Sequence, residues 1–266
     1  DARDPVIVSA VRTPIGSFGG SLKDVLHEKL ASTVMDEVCK RANFRKEELD
    51  DVYWGVVMVR SDENGLARSA ALSAGIPDYV GAVQVNRACC SSMEAIRIAS
   101  MAIRLGEANA IIAGGGESMS NVSYSIKNAR WGLRLRHQEL SDGVWDGLMD
   151  HHTGLIMGMT AENVAEKYNI SREDQDKLAY RSQMRAKKAI EEGRFKNEIV
   201  PVTVPGPPAT AGGGRGSGRG RRRCRRPYRR RTSRSSHRRA RTQPSPRRSP
   251  RRRVRPSRRR GPPRLR

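Results

Sequence analysis

The chain has 266 residues and a formal net charge of +23, but this charge is spread very unevenly. Residues 207–266 hold 25 of the 51 basic side chains and no Asp, Glu or Lys, so residues 1–206 carry 26 basic against 28 acidic groups. A segment rich in Arg, Pro, Gly and Ser cannot offset the entropy of ordering, which excludes a second hydrophobic core there. The composition predicts one folded body followed by a disordered Arg-rich tail.

Membrane and disulfide-rich classes of protein are also excluded. No run of 18 apolar residues occurs, and residues 1–14 lack the basic and apolar stretches of a secretion signal, so we expect a cytoplasmic protein without a membrane span. The cysteines form neither a CxxC metal pair nor a dense disulfide framework, so reduced thiols are expected. There are four of them: Cys39, Cys89, Cys90 and Cys224.

The apolar residues of the body alternate between strand-like and helix-like patterns. In chain order they predict a strand at 6–10, a helix at 22–38 ending near Asn43, a strand at 52–59, a helix at 67–74, a strand at 82–85, a helix at 91–105, a strand at 108–113, helices at 160–168 and 171–193, and a strand at 198–204. This alternation predicts an α/β fold, with a βαβαβ core and helices on the faces of a layered sheet.

Two of these elements, the helices at 91–105 and 171–193, carry more specific expectations. The apolar positions of the 91–105 helix cover so wide an arc that we expect burial on most of its sides. Ser171, followed three residues later by Asp174, resembles a capping box at the start of the last helix. Gly193 stands where a C-terminal helix glycine is expected.

Residues 118–155 lose the periodicity, which predicts a long loop or a small inserted subdomain of the kind that is usually functional. Its large side chains are expected to pack the insert rather than to bind a ring: Trp131, Trp145 and Met149. We divide the chain into four parts. Residues 1–117 form the first part of the domain and include Cys89, and residues 118–159 form the irregular loop subdomain. Residues 160–206 form the remainder of the domain, and residues 207–266 form the tail.

Two other patterns, one within this region and one just before it, lack the neighbouring residues that a functional site would require. His151 and His152 have only Asp146 and Asp150 near ligand spacing, so no metal site is expected. Residues 114–116 are three glycines, but no Lys-Ser/Thr pair or GxGxxG pattern accompanies them. A tight turn after a strand is expected there rather than a phosphate loop.

Cys89 is the candidate for chemistry, because it lies between a predicted buried strand and the start of a predicted helix. The unpaired N–H groups and the dipole of a helix N-terminus favour the thiolate, which is the nucleophilic form. The alternative is a small buried cysteine that only fills space. Periodicity alone does not choose between the two.

Five segments, in the same order, resemble thiolases. Asn86-Arg87-Ala88-Cys89 followed by CSSMEA is similar to the active-site segment of that family, and further similar segments lie at 8–16, 114–121, 157–165 and 171–202. The resemblance covers about residues 5–206. It implies a thiolase-like layered α/β N-terminal domain.

The resemblance also implies a reaction. Thiolases are CoA-dependent acyltransferases of fatty acid metabolism that cleave 3-ketoacyl-CoA with CoA, or run the reverse Claisen condensation, through an acyl-cysteine. The register of the motif implies that Cys89 is this nucleophile and Cys90 a bystander. No tightly bound cofactor is implied, since coenzyme A is a substrate, and the partners are acyl-CoA and CoA, with a homodimer or homotetramer when the protein is complete.

Two departures from other family members bear on substrate choice. Ser92 stands where many members have Gly, and Ile156 stands where many biosynthetic members have His before the Met-Gly pair. Both favour the degradative 3-ketoacyl-CoA thiolases. Ile156 and Met157 are therefore candidate substrate-binding residues for an acyl chain longer than acetyl. The alternative for Ile156 is a residue that only anchors a packed loop.

Half of a thiolase active site is not encoded in this sequence. The family's second domain contributes a Gly-His-Pro segment whose His activates the cysteine, an Asn-Glu-Ala segment, and a Cys-x-Gly-Gly-Gly segment whose Cys is the second acid/base, and none of the three occurs here. Cys224 and His237 lack the required neighbours. The chain as written is expected to be inactive alone.

The tail leaves alternatives open. An Arg-rich segment can bind nucleic acid, so one alternative is a nucleic-acid-binding protein on a thiolase-derived scaffold. A GC-rich coding sequence read in a shifted frame would give the same composition after Gly206.

A further alternative concerns the body of the chain. A ketoacyl-synthase-like condensing enzyme shares the nucleophilic cysteine but lacks the MGMTAENVA and EIVPV segments.

Overall fold

The computed structural model describes residues 3–135 and 137–205. The tail predicted at 207–266 lies outside these described residues, as does Cys224 within it. Of the helices in the described part, not one combines the length and hydropathy that crossing a membrane requires.

A three-stranded parallel sheet forms the centre of the fold. Its strands are β1 (Asp51–Gly55), β2 (Val83–Val85) and β3 (Ile111–Gly115), in the order β2-β1-β3. Trp54 lies opposite Gln84 on one side and Gly114 on the other. The α/β class predicted from the sequence is therefore confirmed, with strands close to the predicted positions.

Helical crossovers join the parallel strands, as parallel pairing requires. Helix α2 (Leu66–Ser73) connects β1 to β2, and helix α3 (Ser91–Leu105) connects β2 back past β1 to β3. The chain crosses the sheet in one direction from β1 to β2 and in the opposite direction from β2 to β3. Because such crossovers are right-handed, α2 and α3 lie on opposite faces of the sheet.

The hydrophobic core lies on the α2 face, where α1 (His27–Ala42) also packs. Val52 and Trp54 of β1 are buried against Met35 of α1 and Leu66 of α2. Burying each such side chain stabilises the fold by roughly 1.5–3 kcal/mol. Helix α1 ends where the sequence predicted, at Asn43, whose left-handed backbone (φ 50°) terminates it.

Helix α3 buries only one narrow stripe, so the prediction that most of its sides are buried is wrong. The stripe consists of small residues four or three positions apart, Ser91, Ala95, Ala99 and Ala102. Small side chains let α3 approach the sheet closely, and its large apolar side chains point away from it. Met93 is 72% exposed, and Ile96, Met101 and Leu105 are exposed as well.

The strands predicted at 6–10 and 198–204 do not form, and both predictions are wrong. Val6, Ile7 and Val8 are exposed. The two segments meet only at an isolated parallel bridge, in which Arg12 N donates to Glu198 O at 2.8 Å and Val200 N donates to Arg12 O at 2.8 Å. One bridge outside the main sheet is not a strand ladder, despite the strand-like apolar pattern.

The last two helices follow their local signals. Helix α5 spans Met157–Lys167 and α6 spans Arg172–Glu191. Ser171 Oγ accepts from Asp174 N at 3.1 Å, and Gly193 has a φ of 69° just beyond α6, so both predicted caps are confirmed. Neither helix has a buried residue.

The segment before α5 contains two small antiparallel pairs. These are β4 (Tyr124–Ile126) with β5 (Leu140–Asp142), and β6 (Met149–Asp150) with β7 (Leu155–Ile156), with helix α4 (Gly143–Leu148) between them. Short 3-10 turns lie at Lys46–Glu48, Met119–Asn121 and Ala129–Trp131. Trp131 is 80% exposed and Trp145 is also exposed, so the prediction that these rings pack the insert is wrong.

Candidate functional site

Cys89 lies in a tight turn between β2 and α3, which we call the Cys89 turn (residues 86–91). Ala88 has a φ of 49°, in the left-handed region that residues with a Cβ rarely adopt. Cys90 is the N-cap residue of α3, and Ser91 is its first helical residue. The predicted position between a strand and a helix is confirmed, although Cys89 precedes the helix cap by one residue.

Side chains at both ends of the turn hold this backbone in place. Asn86 Oδ1 accepts from Ala88 N at 3.1 Å, and Asn86 Nδ2 donates to Val57 O at 3.3 Å. Ser91 Oγ accepts from Arg87 N at 2.8 Å and donates to Ala88 O at 2.6 Å. Such bonds offset the strain of a left-handed alanine.

The two adjacent thiols have different surroundings. Both Cys89 and Cys90 are exposed free cysteines. Cys90 Sγ donates to Arg87 O at 3.0 Å. Within the described residues, Cys89 Sγ has no hydrogen-bond partner. Of the two thiols, only that of Cys89 is exposed without a hydrogen bond to a described backbone atom.

An ion-pair cluster ties the turn to the first turns of α3. Arg87 Nη1 lies 2.6 Å from Glu94 Oε2, and Arg97 Nη2 lies 2.5 Å from Glu94 Oε1. Hydrogen bonds from Arg97 and Arg87 lower the pKa of Glu94 to about 2, so this carboxylate is charged at neutral pH. The cluster holds the Arg87 side chain over the helix.

Two glycines let α3 approach the carboxyl ends of the sheet strands. A Cβ on Gly55, at the end of β1, would lie 2.5 Å from Ser92 N and still closer to the Ser91 carbonyl carbon. A Cβ on Gly115, at the end of β3, would overlap Ser92 Oγ of α3 and would also lie 2.5 Å from Gly55 O of the neighbouring strand β1. Carboxyl ends of parallel strands are the usual place for ligand binding in open α/β sheets.

Glu117 connects the loops that follow the two strands. Its carboxylate accepts from Val57 N at 3.0 Å and from Met58 N at 3.2 Å. Sequence reasoning missed Glu117, Gly55 and Ser91 as parts of the site. The only local signal was a Ser at the start of a predicted helix, which is common and does not reveal what its hydroxyl contacts.

The other candidate residues lie in the segment around β7 and α5. Ile156 pairs with Met149 across the β6–β7 hairpin, and Met157 O accepts from Thr160 Oγ1 at 2.7 Å. These contacts are local and involve no residue of the Cys89 turn. Substrate binding by Ile156 and Met157 therefore stays a prediction.

The adjacent histidines are exposed in the β6–β7 hairpin. Asp150 carboxylate oxygens accept from His152 N and from Thr153, which orders the hairpin turn. Within residues 3–135 and 137–205, no three His, Cys, Asp or Glu side chains are grouped so that they could hold a metal ion.

Comparisons with known proteins agree on one family. The model of the thiolase N-terminal domain matches residues 5–210. Acetyl-CoA acetyltransferase of Syntrophomonas wolfei is 44% identical over 207 residues, which cover 77% of this chain and 52% of that protein. A probable acetyl-CoA acyltransferase of Staphylococcus aureus is 41% identical over 201 residues, covering 75% of this chain and 51% of the relative.

Solved structures give the same result. The crystal structure of Bacillus anthracis acetyl-CoA acetyltransferase superposes with a TM-score of 0.75 at 46% identity, covering 77% of this chain and 52% of that one. Human mitochondrial 3-ketoacyl-CoA thiolase, in complex with CoA, gives 0.71 at 39% identity, covering 73% and 50%. The chain thus spans about half the length of the proteins it matches. Fold, motif order and family model together show that it belongs to the thiolase family, through the N-terminal domain.

Proposed function

We propose that residues 5–205 form the cysteine-bearing half of a CoA-dependent acyltransferase of the thiolase type, and that Cys89 carries the acyl group. The observation that supports this most directly is the difference between the two thiols of the turn. Cys90 Sγ donates a hydrogen bond to Arg87 O, whereas Cys89 Sγ is exposed at the carboxyl edge of the sheet and has no hydrogen-bond partner among residues 3–135 and 137–205.

The proposed reaction uses a thiolate as nucleophile and as leaving group. The Cys89 thiolate attacks the ketone carbon of a 3-ketoacyl-CoA and forms a C–S bond. The bond between that carbon and the α carbon then breaks, and the α carbon takes a proton to give acetyl-CoA. The thiol of a second CoA attacks the acyl-cysteine, and the Cys89 thiolate leaves. The reverse sequence is the Claisen condensation.

Two names among the relatives, acetyl-CoA acetyltransferase and 3-ketoacyl-CoA thiolase, support an acyl-CoA substrate. The degradative direction is our proposal from Ser92 and Ile156, and a homodimer or homotetramer is our proposal for the complete protein. No tightly bound cofactor is needed for this chemistry, because CoA itself enters and leaves.

The test uses the chain together with a separately expressed C-terminal half of the Bacillus anthracis relative, which supplies the missing segments. With acetyl-CoA, mass spectrometry should find acetyl on Cys89 in the wild type and in Cys90→Ser. Cys89→Ser should show no acetyl-enzyme. If Cys90→Ser alone abolishes acetylation while Cys89→Ser retains it, the assignment of the nucleophile is wrong.

A second proposal concerns residues 207–266, whose 25 Arg and absence of acidic residues favour binding to nucleic acid through phosphate contacts. It is independent of Cys89. The gel-shift experiment that tests it is described in the Discussion.

A further inference from the structure

The hydroxyl of Ser91 contacts the Cys89 turn at two successive residues. It accepts from Arg87 N at 2.8 Å and donates to Ala88 O at 2.6 Å. Ser91 is only 4% exposed, so these bonds do not compete with bulk water. Both atoms that it binds belong to residues that precede Cys89 in the chain.

This geometry differs from ordinary helix capping. A capping side chain precedes the helix and accepts from N–H groups inside it. Ser91 is already in the helix, and its hydroxyl reaches back to the residues in front of it. The N-cap residue itself, Cys90, makes no side-chain cap. The backbone already closes this turn, since Ser91 N donates to Ala88 O at 3.0 Å and Cys90 N donates to Arg87 O at 3.3 Å. The hydroxyl adds two further bonds to the turn and does not cap the helix end.

The turn conformation determines which thiol is paired. With Ala88 left-handed, Arg87 O points at Cys90 Sγ, which donates to it at 3.0 Å. If Ala88 returned to a right-handed conformation, the Arg87 carbonyl would change direction and Cys90 would lose this partner. The hydrogen bond that distinguishes the Cys90 thiol from the Cys89 thiol would then be lost.

We propose that Ser91 is a positioning residue for Cys89: its hydroxyl holds the turn in which the Cys90 thiol is bonded to Arg87 and the Cys89 thiol is left unpaired. The inference rests on the proposed function of Cys89. It extends that function by assigning the choice between two neighbouring cysteines to a third side chain.

The experiment measures thiol selectivity in the 266-residue chain at low micromolar concentration. Short pulses of iodoacetamide are followed by trypsin digestion, and fragment ions of the peptide 88–97 give the ratio of Cys89 to Cys90 modification. The variants are Ser91→Ala, which lacks the hydroxyl, and Ser91→Thr, which keeps it. Ser100→Ala, on the same helix at a hydroxyl without a hydrogen-bond partner among the described residues, is the matched control.

We expect Cys89 to react faster than Cys90 in the wild type and in Ser100→Ala. In Ser91→Ala the ratio should fall about tenfold towards equality, the effect of losing two hydrogen bonds of ordinary strength. Ser91→Thr should restore it. Should the extra methyl of Thr prevent folding, Asn86→Ala, which removes the acceptor of Ala88 N, should lower the ratio in the same direction.

Melting temperatures distinguish positioning from simple stabilisation. If Ser91→Ala melts earlier but keeps the wild-type ratio, Ser91 is only structural and the proposal is overturned. Equal reactivity of the two thiols in the wild type would overturn it too. A failure of acetyl-CoA to acylate Cys89 would count against the proposed function instead, because the iodoacetamide ratio does not depend on acyl transfer.

Discussion

Gly55→Ala tests whether the close approach of α3 to the sheet positions the Cys89 turn. Gly55 does not have a positive φ, so an alanine there is strained only by lack of space. Its Cβ would lie 2.5 Å from Ser92 N and 2.7 Å from Ser91 O, both backbone atoms of the first turn of α3. Side-chain rotation cannot relieve this contact.

The size of the effect follows from these distances. Ordinary contacts of a Cβ are 3.4–4 Å, so the first turn of α3 must move away from β1 by about 1 Å. Overpacking of this kind typically costs about 1–3 kcal/mol of folding free energy. The shift also moves Ser91, and misplacement of a reacting group by about 1 Å can lower a rate on the order of 10²-fold.

Gly158→Ala is the matched control, because a Cβ there meets nothing within 4 Å. Gly158 lies inside α5, where alanine is favoured over glycine by up to about 1 kcal/mol. Urea unfolding should therefore show Gly55→Ala less stable than the wild type and Gly158→Ala equally or more stable. Acetylation of Cys89, with the C-terminal half supplied, should fall only in Gly55→Ala. Indistinguishable behaviour of the two variants would refute the reasoning.

Three further predictions concern other parts of the chain. Burial lowers the pKa of His27, which is 2% exposed, from 6.5 to about 4, so the unfolded state takes up a proton at a higher pH than the folded state does. The free energy of unfolding should therefore be at its full value above pH 6.5 and should fall by up to about 3 kcal/mol as the pH drops from 6.5 through 4. His27→Gln should flatten this part of a urea-unfolding pH series. The 266-residue chain alone should show no thiolysis of acetoacetyl-CoA above background, because the family's segments that supply the general base and the oxyanion stabilisation do not occur in it. A general base contributes about 10²- to 10⁴-fold and oxyanion stabilisation on the order of 10²- to 10³-fold. Enzyme-like rates would contradict the expectation that this chain is inactive alone. The chain should retard RNA in a gel shift that weakens with added salt, and truncation after Gly206 should abolish it; retention of binding by the truncated chain would assign it to the body.

Local signals in the sequence were sufficient for much of the fold. Helix α3 occupies the predicted range, and the Ser171 cap and Gly193 behave as predicted, because caps and apolar periodicity depend on residues within one or two turns of each other. The position of Cys89 between a strand and a helix was predictable for the same reason.

Only the tertiary structure decided which sides of these elements are buried and what the site residues contact. The apolar side chains of the strand-like segment, Val6, Ile7 and Val8, are exposed, and α3 buries its alanines rather than Met93, because burial depends on which partner lies opposite an element. Gly55 and Ser92 are distant in the chain, and no periodic pattern in the sequence predicts that their backbones come into contact. The sequence by itself determined the class of fold and the candidate nucleophile. The packing of α3 on two glycines, and the hydrogen bonds of Ser91 and Cys90, determined how that nucleophile is presented, since these depend on three-dimensional approach rather than on local pattern.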